Sequence, residues 1–304
     1  MIQAMWNKWT LWTALVISAL APLRMQACDA CGCGPGAAFL QAMPQFGRRS
    51  VDLSSSLRWG RSEFLPSAAL RYQHSLGERW AVWTQVPASA AYYRGYWSDG
   101  TYAEHLLGGL GDPNLGAMRR WKLANGQIQA GAWIGVPLGA YRARSIQGTL
   151  HPSGYQPGNG AFSGGIWSNL WLGSTERAWL YSAQATASLR NEYGTSRPAS
   201  ASIQALRVYG RETEHSAHRR AAGLAASWTD ANEAGNAEVA GAALQVQAVV
   251  MTQHITTHGM TTAQIQGVLI QSGDPRFRQW VGVSVQFLRF VPQRTPPKAN
   301  SADL

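Results

Sequence analysis

Charged residues and long apolar runs are both scarce in this chain. Only 14% of its 304 residues are charged, against about 25% in an average soluble domain, and this composition excludes a disordered protein. After residue 27 no run approaches the ~20 apolar residues that a spanning helix needs, which excludes a helical membrane protein. Glycine and tryptophan are abundant instead, with 32 and 14 copies. The composition favours an all-β protein, and a chain of this kind that crosses a membrane must do so as a closed barrel.

Motifs for catalysis and for nucleic-acid binding are also missing. The formal net charge is +10, but the basic residues come singly or in pairs such as Arg119-Arg120 and form no binding patch. No Gly-x-Ser-x-Gly nucleophile elbow is present. The Gly-rich stretch 109–116 lacks the Gly-Lys-Ser/Thr ending of a phosphate loop. We therefore expect neither an enzyme nor a nucleic-acid partner.

Cysteine is confined to a short segment that follows an apparent export signal. Residues 1–27 combine a basic start with a short apolar stretch, which is typical of a cleaved signal peptide. Cys28, Cys31 and Cys33 come directly after it. They can form a disulfide and a free thiol, bind a soft metal such as copper through thiolates, or carry a lipid on Cys28. No other cofactor is expected.

The rest of the chain alternates apolar and polar residues with a period of two, which indicates strands with one face in each environment. In 178–189 one face carries Trp179, Tyr181, Ala183, Ala185, Ala187 and Leu189, and the other carries Ser182, Gln184, Thr186 and Ser188. The strands are about ten residues long, the length that crosses a bilayer when tilted. We predict an all-β fold with one transmembrane antiparallel β-barrel of about twelve strands. The predicted division is 1–27 signal peptide, 28–48 Cys-rich leader, 49–290 barrel and 291–304 polar tail.

Short and long connections are expected at opposite ends of the predicted barrel. Short turns such as Asn125-Gly126 are strong hairpin signals and predict a periplasmic end. The stretches 89–108 and 138–160 are expected as long external loops. The connections 211–219 and 251–259 are expected to be longer than tight turns.

Four strings, in order along residues 45–290, resemble a family of outer-membrane barrels named for the phenol meta-pathway. They are Ser75–Trp80, Gly109–Gly116, Gly135–Gly139 and Tyr155–Ala161. The Cys-rich start resembles a subset of that family with a similar leader. The resemblance implies a transporter in the outer membrane of a Gram-negative bacterium. Its partners would be outer-membrane lipid, the barrel-assembly machinery and a small solute.

Polar residues on the inward face are the candidates for contact with the solute. They are Asp52, Arg58, Arg71, Gln73, Asp112, Gln129, Gln184, Gln245, Gln247 and Gln264. The leading hypothesis is a channel or transporter for a small solute, and a structural barrel with a plugged lumen is one alternative. A second alternative is a barrel that binds or transports a soft metal such as copper, because imidazole, thioether and thiolate suit that metal. Its candidate ligands are Cys28, Cys31, Cys33, Met251, His254, His258 and Met260.

Overall fold

The computed structural model describes residues 49–60, 63–96, 102–142, 156–194, 196–230, 232–234, 237–240, 243–272 and 279–291. No helix in these ranges is long and apolar enough to cross a bilayer. The strands are β1 (Arg49–Gly60), β2 (Glu63–Leu76), β3 (Trp80–Tyr96), β4 (Tyr102–Leu110), β5 (Asn114–Leu123), β6 (Gly126–Gly135), β7 (Ser163–Gly173), β8 (Arg177–Ser188), β9 (Ser200–Glu212), β10 (Ser216–Thr229), β11 (Asn232–Ala234), β12 (Ala237–Ala240), β13 (Ala243–Thr256), β14 (Gly259–Gln271) and β15 (Gln279–Val291).

Thirteen of these strands form one antiparallel sheet that closes on itself. Its order is β2-β1-β15-β14-β13-β10-β9-β8-β7-β6-β5-β3-β4, and the additional pairing of β2 with β3 closes the ring. Twelve strands make the wall, and β4 is an extra strand. Closure removes the exposed strand edges that would otherwise pair with other chains. The prediction of an all-β barrel of about twelve strands is confirmed.

The period of two decides which residues each wall strand turns inward. Along β8 the side chains of Ala178, Leu180 and Ser182 are buried, whereas Trp179 and Tyr181 between them are exposed. Successive side chains of a strand point to opposite faces, so the buried set faces the barrel interior and the exposed set forms the outer wall. The predicted faces of this strand match the structure, and Leu180 is an apolar residue on the inner face.

The two ends of the barrel have different connections. One end, which we call the tight-turn end, consists of the short turns at 77–79, 124–125, 174–176, 213–215 and 257–258. Gly77 adopts a left-handed conformation with φ of 78° in the first of these turns, a conformation that side chains with a Cβ avoid. The other end, which we call the loop end, carries the longer connections, including the segments 136–142, 156–162, 189–194 and 196–199.

The expectation of a long external loop at 89–108 is wrong. The second half of β3, Ala88–Tyr96, pairs with β4 as an antiparallel hairpin. Its alternation continues, since Ala91 and Tyr93 are buried and pack with Leu65 and Leu107. Tyrosine fits a half-buried strand, and the pairing of this half with β4 makes the wall higher here than a bilayer-spanning length requires. β4 then continues the line of β5 after a break at residues 111–113.

The expectation of long connections at 211–219 and 251–259 is also wrong. β9 and β10 are separated only by residues 213–215, and β13 and β14 only by 257–258. The hydroxyl of Thr213 accepts a hydrogen bond from the Ser216 amide at 3.1 Å, and Thr256 Oγ1 accepts one from the Gly259 amide at 3.2 Å. These hydroxyl bonds close the turns, and the polar residues beside them belong to strands that extend past the apolar part of the wall.

Candidate functional site in the barrel interior

The predicted inward-facing polar residues lie on six strands and one connection around the interior. Asp52 and Arg58 lie on β1, Arg71 and Gln73 on β2, Gln129 on β6, Gln184 on β8, Gln245 and Gln247 on β13, Gln264 on β14, and Asp112 between β4 and β5. All are buried except Gln184, which is half-buried. Nine of the ten sit on the inner face by strand alternation, whereas Asp112 is part of the loop end. Their contact with a solute stays a prediction.

Opposite charges meet on the inner faces of β1 and β2. Asp52 and Arg71 are direct cross-strand partners, and both are buried. Gln286 Nε2 on β15 donates a hydrogen bond to Asp52 Oδ2. Arg71 Nη2 donates to Gln73 Oε1 at 3.0 Å, and its guanidinium carbon lies 5.0 Å from the centre of the Trp83 ring. A buried charge requires compensation of this kind.

Glutamine amides form short ladders on the neighbouring strands. Gln247 Nε2 donates to Gln245 Oε1 at 2.9 Å on β13, and Gln264 Nε2 donates to Gln266 Oε1 at 3.2 Å on β14. Among the described residues, Gln245 Nε2, Gln247 Oε1 and Gln264 Oε1 are buried with no hydrogen-bond partner. Buried polar atoms normally have partners, so this inner face offers both donors and acceptors to a polar group inside the barrel.

Further buried amides extend this polar face beyond the predicted residues. They are Asn169 on β7, Gln204 on β9 and Gln286 on β15. The Asn169 and Gln204 amides have no partner among the described residues at either of their polar atoms. The alternation could have identified these residues, because Ser202 and Gln204 share one face of β9 just as Ser182 and Gln184 share one face of β8.

Three tryptophans on the inner face pack flat against glycines of the adjacent strands. Trp83 faces Gly116, Trp133 faces Gly165, and Trp167 faces Gly131. A Cβ at Gly165 would lie 2.6 Å from Trp133 Nε1, and one at Gly131 would lie 2.9 Å from the Trp167 ring. Glycine opposite an aromatic residue is a known stabilising pair in sheets. None of these tryptophans is among the predicted inward-facing residues, although Gly131 and Trp133 stand in one alternating set of β6.

An apolar layer lines the inner face near the tight-turn end. Leu180 on β8, Leu206 and Val208 on β9, and Val249 and Met251 on β13 form one buried cluster. The polar residues of the same strands, such as Gln184, lie nearer the loop end. On β8 and β9 the inner face therefore changes from polar to apolar toward the tight-turn end, which differs from a lumen lined only by glutamine and arginine.

The predicted metal ligands of the described chain are not brought together. Met251 and Met260 are buried in two separate apolar clusters on the inner face. His254 lies on the outer face and stacks on His218, with 3.2 Å between the two Nδ1 atoms. His258 is in the turn between β13 and β14. Among the described residues no three His, Cys, Asp or Glu side chains group as metal ligands. Cys28, Cys31 and Cys33 lie outside the described residues.

Asp112 joins three segments at the loop end. Its Oδ1 accepts a hydrogen bond from the Gly139 amide at 2.8 Å, and its Oδ2 accepts one from the Asn159 amide at 2.6 Å. The Asn159 side chain in turn accepts one from the Arg197 amide at 3.2 Å. A Cβ at Gly158 would overlap Gly139, so the approach requires glycine. Three of the four strings that carry the family resemblance thus meet at one carboxylate.

Comparisons with known proteins support the fold alone. No known family matches the sequence, and no curated protein matches it. Among solved structures, the barrel is similar to an outer-membrane channel from Pseudomonas putida F1, with a TM-score of 0.61 and 14% sequence identity over 82% of this chain and 97% of that one. A second structure, from work on in-meso crystallisation of membrane proteins, reaches a TM-score of only 0.35, with 10% identity over 81% of this chain and 85% of that one.

Proposed function

We propose that this chain is an outer-membrane channel, a barrel that lies in lipid and lets a small solute diffuse through its interior. The observation that carries the proposal is the inversion of polarity between the two faces of the wall. Leu70, Ile166 and Ile203 on the outer face are 55%, 64% and 58% exposed. Gln129 and Gln264 on the inner face are each 2% exposed. Polar-in and apolar-out alternation is typical of transmembrane barrels.

The outer wall is too apolar for water. Soluble monomers rarely expose continuous apolar patches above a few hundred Å², whereas here large apolar side chains are exposed on most wall strands. Trp80, Trp121, Trp179 and Tyr209 add exposed aromatic rings near the tight-turn end, as in the aromatic girdles of outer-membrane barrels. The similarity of fold to an outer-membrane channel is in keeping with this location.

The chemistry of the interior suits a small solute with polar groups. The glutamine ladders present amide donors and acceptors that can replace water around such a solute. The tryptophan rings of β3, β6 and β7 present flat apolar surfaces, and Asp52 and Arg71 add one charge of each sign. Movement is passive, driven by the concentration gradient. The role is non-catalytic, and the partners are outer-membrane lipid, the barrel-assembly machinery and the solute.

Solute flux into liposomes tests this proposal. Gln264→Trp places a large ring on the inner face, and Ile265→Trp places the same ring on the outer face of the next residue, since Ile265 is 57% exposed. We expect the first variant to slow swelling of liposomes in a small sugar severalfold and the second to leave it unchanged. Heat-modifiable migration on a gel checks that both variants fold. Equal flux through both folded variants would contradict passage through the interior.

A further inference from the structure

Two arginines on the outer wall each lie between two aromatic rings, in the same arrangement. Arg119 on β5 is the cross-strand partner of Trp80, and its guanidinium carbon lies 5.1 Å from the ring centres of both Trp80 and Trp121. Arg207 on β9 is the cross-strand partner of Trp179. Its guanidinium carbon lies 5.3 Å from the centre of the Trp179 ring.

The second ring beside Arg207 is that of Tyr209, whose centre lies 5.6 Å from the Arg207 guanidinium carbon. In each case one ring comes from the neighbouring strand and the other from the residue two positions further along the same strand. The strands that carry the two arginines, β5 and β9, both run toward the tight-turn end, so Arg119 and Arg207 lie at similar heights on the wall.

The aromatic rings fix the guanidinium groups but leave their donors unused. Rings contact the face of a guanidinium, while its N–H groups point outward along its edge. Among the described residues neither Arg119 nor Arg207 forms a hydrogen bond or an ion pair with a polar side chain, and Arg119 Nε is buried with no partner. A fixed guanidinium with free donors matches a carboxylate or phosphate group.

A basic cavity surrounds the first of the two arginines. It has a volume of about 290 Å³ and is lined by Glu78, Arg79, Arg119, Arg120, Trp121 and Lys122. One water needs about 10–15 Å³ of such space, so the cavity has room for a phosphate group. Lys122 Nζ lies 3.3 Å from Glu78 Oε2, so the one carboxylate of the lining is engaged while Arg79 and Arg119 keep their charge. The cavity therefore attracts an anion.

The position of the cavity decides the kind of anion. Directly above it, toward the loop end, the outer wall is apolar, with Val82 and Leu115 40% and 49% exposed. Below it are the polar turns at 77–79 and 124–125. In the membrane location proposed above, on which this step rests, such a boundary lies at the level of the lipid headgroups. An occupant with a phosphate in the cavity and acyl chains on Val82 and Leu115 fits both surfaces.

We propose that Arg119 and Arg207, each between two aromatic rings, bind the phosphate of phospholipids in the leaflet at the tight-turn end. The stronger of the two sites is at Arg119, because Arg79 lines the same cavity and adds positive charge there. The sites anchor the barrel at a fixed depth and are separate from the interior pathway.

Lipid retention by the purified barrel in non-ionic micelles tests the proposal. Native mass spectrometry counts bound phosphatidylglycerol, and the shift of the thermal unfolding midpoint gives the apparent affinity. We expect Arg119→Gln to weaken phosphatidylglycerol binding roughly tenfold, the loss of about one charge-assisted hydrogen bond, and Arg207→Gln to remove a second, weaker site. Arg289→Gln is the control, because Arg289 is exposed near the same end and no aromatic ring of the described residues lies against it.

Two further ligands separate the sources of the phosphate. Diacylglycerol has the acyl chains without the phosphate, and glycerol 3-phosphate has the phosphate without the chains. We expect neither to shift the midpoint as phosphatidylglycerol does at equal concentration. An equal shift by glycerol 3-phosphate would show a site for a free anion, and an equal loss in Arg119→Gln and Arg289→Gln would show unspecific charge attraction. Either result overturns the lipid sites, whereas a barrel that does not enter micelles contradicts the proposed membrane location instead.

Discussion

At the scale of single residues, the interior depends on contacts that leave no room for an added atom. Trp83, Trp133 and Trp167 each occupy the space that a side chain on the opposite glycine would fill. Close packing of this kind makes a protein interior sensitive to a single carbon. The pairs therefore set both the stability of β3, β5, β6 and β7 and the width of the interior beside them.

Substitution of Gly116 by valine should displace the Trp83 ring, because the new Cβ would overlap it. Overpacking of this kind costs about 1–3 kcal/mol. Urea unfolding of the barrel in vesicles, followed by tryptophan fluorescence, measures the loss. Gly267→Val is the matched control, since a Cβ at Gly267 meets nothing within 4 Å. The same free energy of unfolding for both variants would count against the tryptophan–glycine pairs.

Asp112 is the residue on which the order of the loop end depends. Asp112→Asn turns an amide donor toward the Gly139 or Asn159 amide, and a buried donor without an acceptor costs about 1–3 kcal/mol. We expect faster limited proteolysis between residues 139 and 159 and a lower unfolding midpoint. Glu192→Gln is the control, because it changes only exposed contacts. These are an ion pair of 2.9 Å with Arg142, a type of pair that contributes about 0–1 kcal/mol, and a hydrogen bond of 3.4 Å from the Tyr141 hydroxyl. Equal cleavage rates in the two variants would refute this role.

At the scale of the strand, the alternation on β8 separates the environment of the membrane from that of the interior. Ala185→Arg puts a charge on the outer wall, which costs roughly 2–4 kcal/mol at the middle of a bilayer. Gln184→Arg puts it beside the polar interior, and we expect only a mild loss. The fraction of heat-modifiable barrel after folding into vesicles compares the two. Equal folding of both variants would invalidate the assignment of faces.

The same alternation explains how far the elements could be predicted from the sequence. A period of two is local, so it identified the wall strands and the two faces of β8. It could not place the hairpin of β3 and β4, because 89–108 mixes Ser, Ala and Tyr without a strong apolar set. It also could not show that Asp112 meets Asn159, because these residues are 47 positions apart and only the closed barrel brings them together.

The same limit applies to the prediction of the candidate site from the sequence. Strand parity placed Gln129 and Gln264 on the inner face correctly, since this requires only the side of the strand. It did not show that Leu180, Leu206 and Val249 form an apolar layer, since that contact depends on the register among β8, β9, β10 and β13. The alternation along β13 also puts Met251 on the inner face and His254 on the outer face, so their closeness in the sequence does not bring them together.

At the scale of the whole molecule, we propose that a polar pathway runs through a barrel held in lipid. The outer wall, the aromatic rings near the tight-turn end and the closed hydrogen-bonding ring all place apolar surface outside. The charged pair of Asp52 and Arg71, the amide ladders and the tryptophan faces line the inside. The loop segments joined by Asp112 lie at the loop end, which is one mouth of the proposed pathway.

Conductance across a planar lipid bilayer tests that claim most directly. The folded barrel, verified by its heat-modifiable migration, is added to one side of the bilayer, and the current is recorded at constant voltage. A channel predicts discrete steps of uniform size, and Gln264→Trp should reduce the size of each step while Ile265→Trp leaves it unchanged. Stable insertion of folded barrel without any steps would contradict the account.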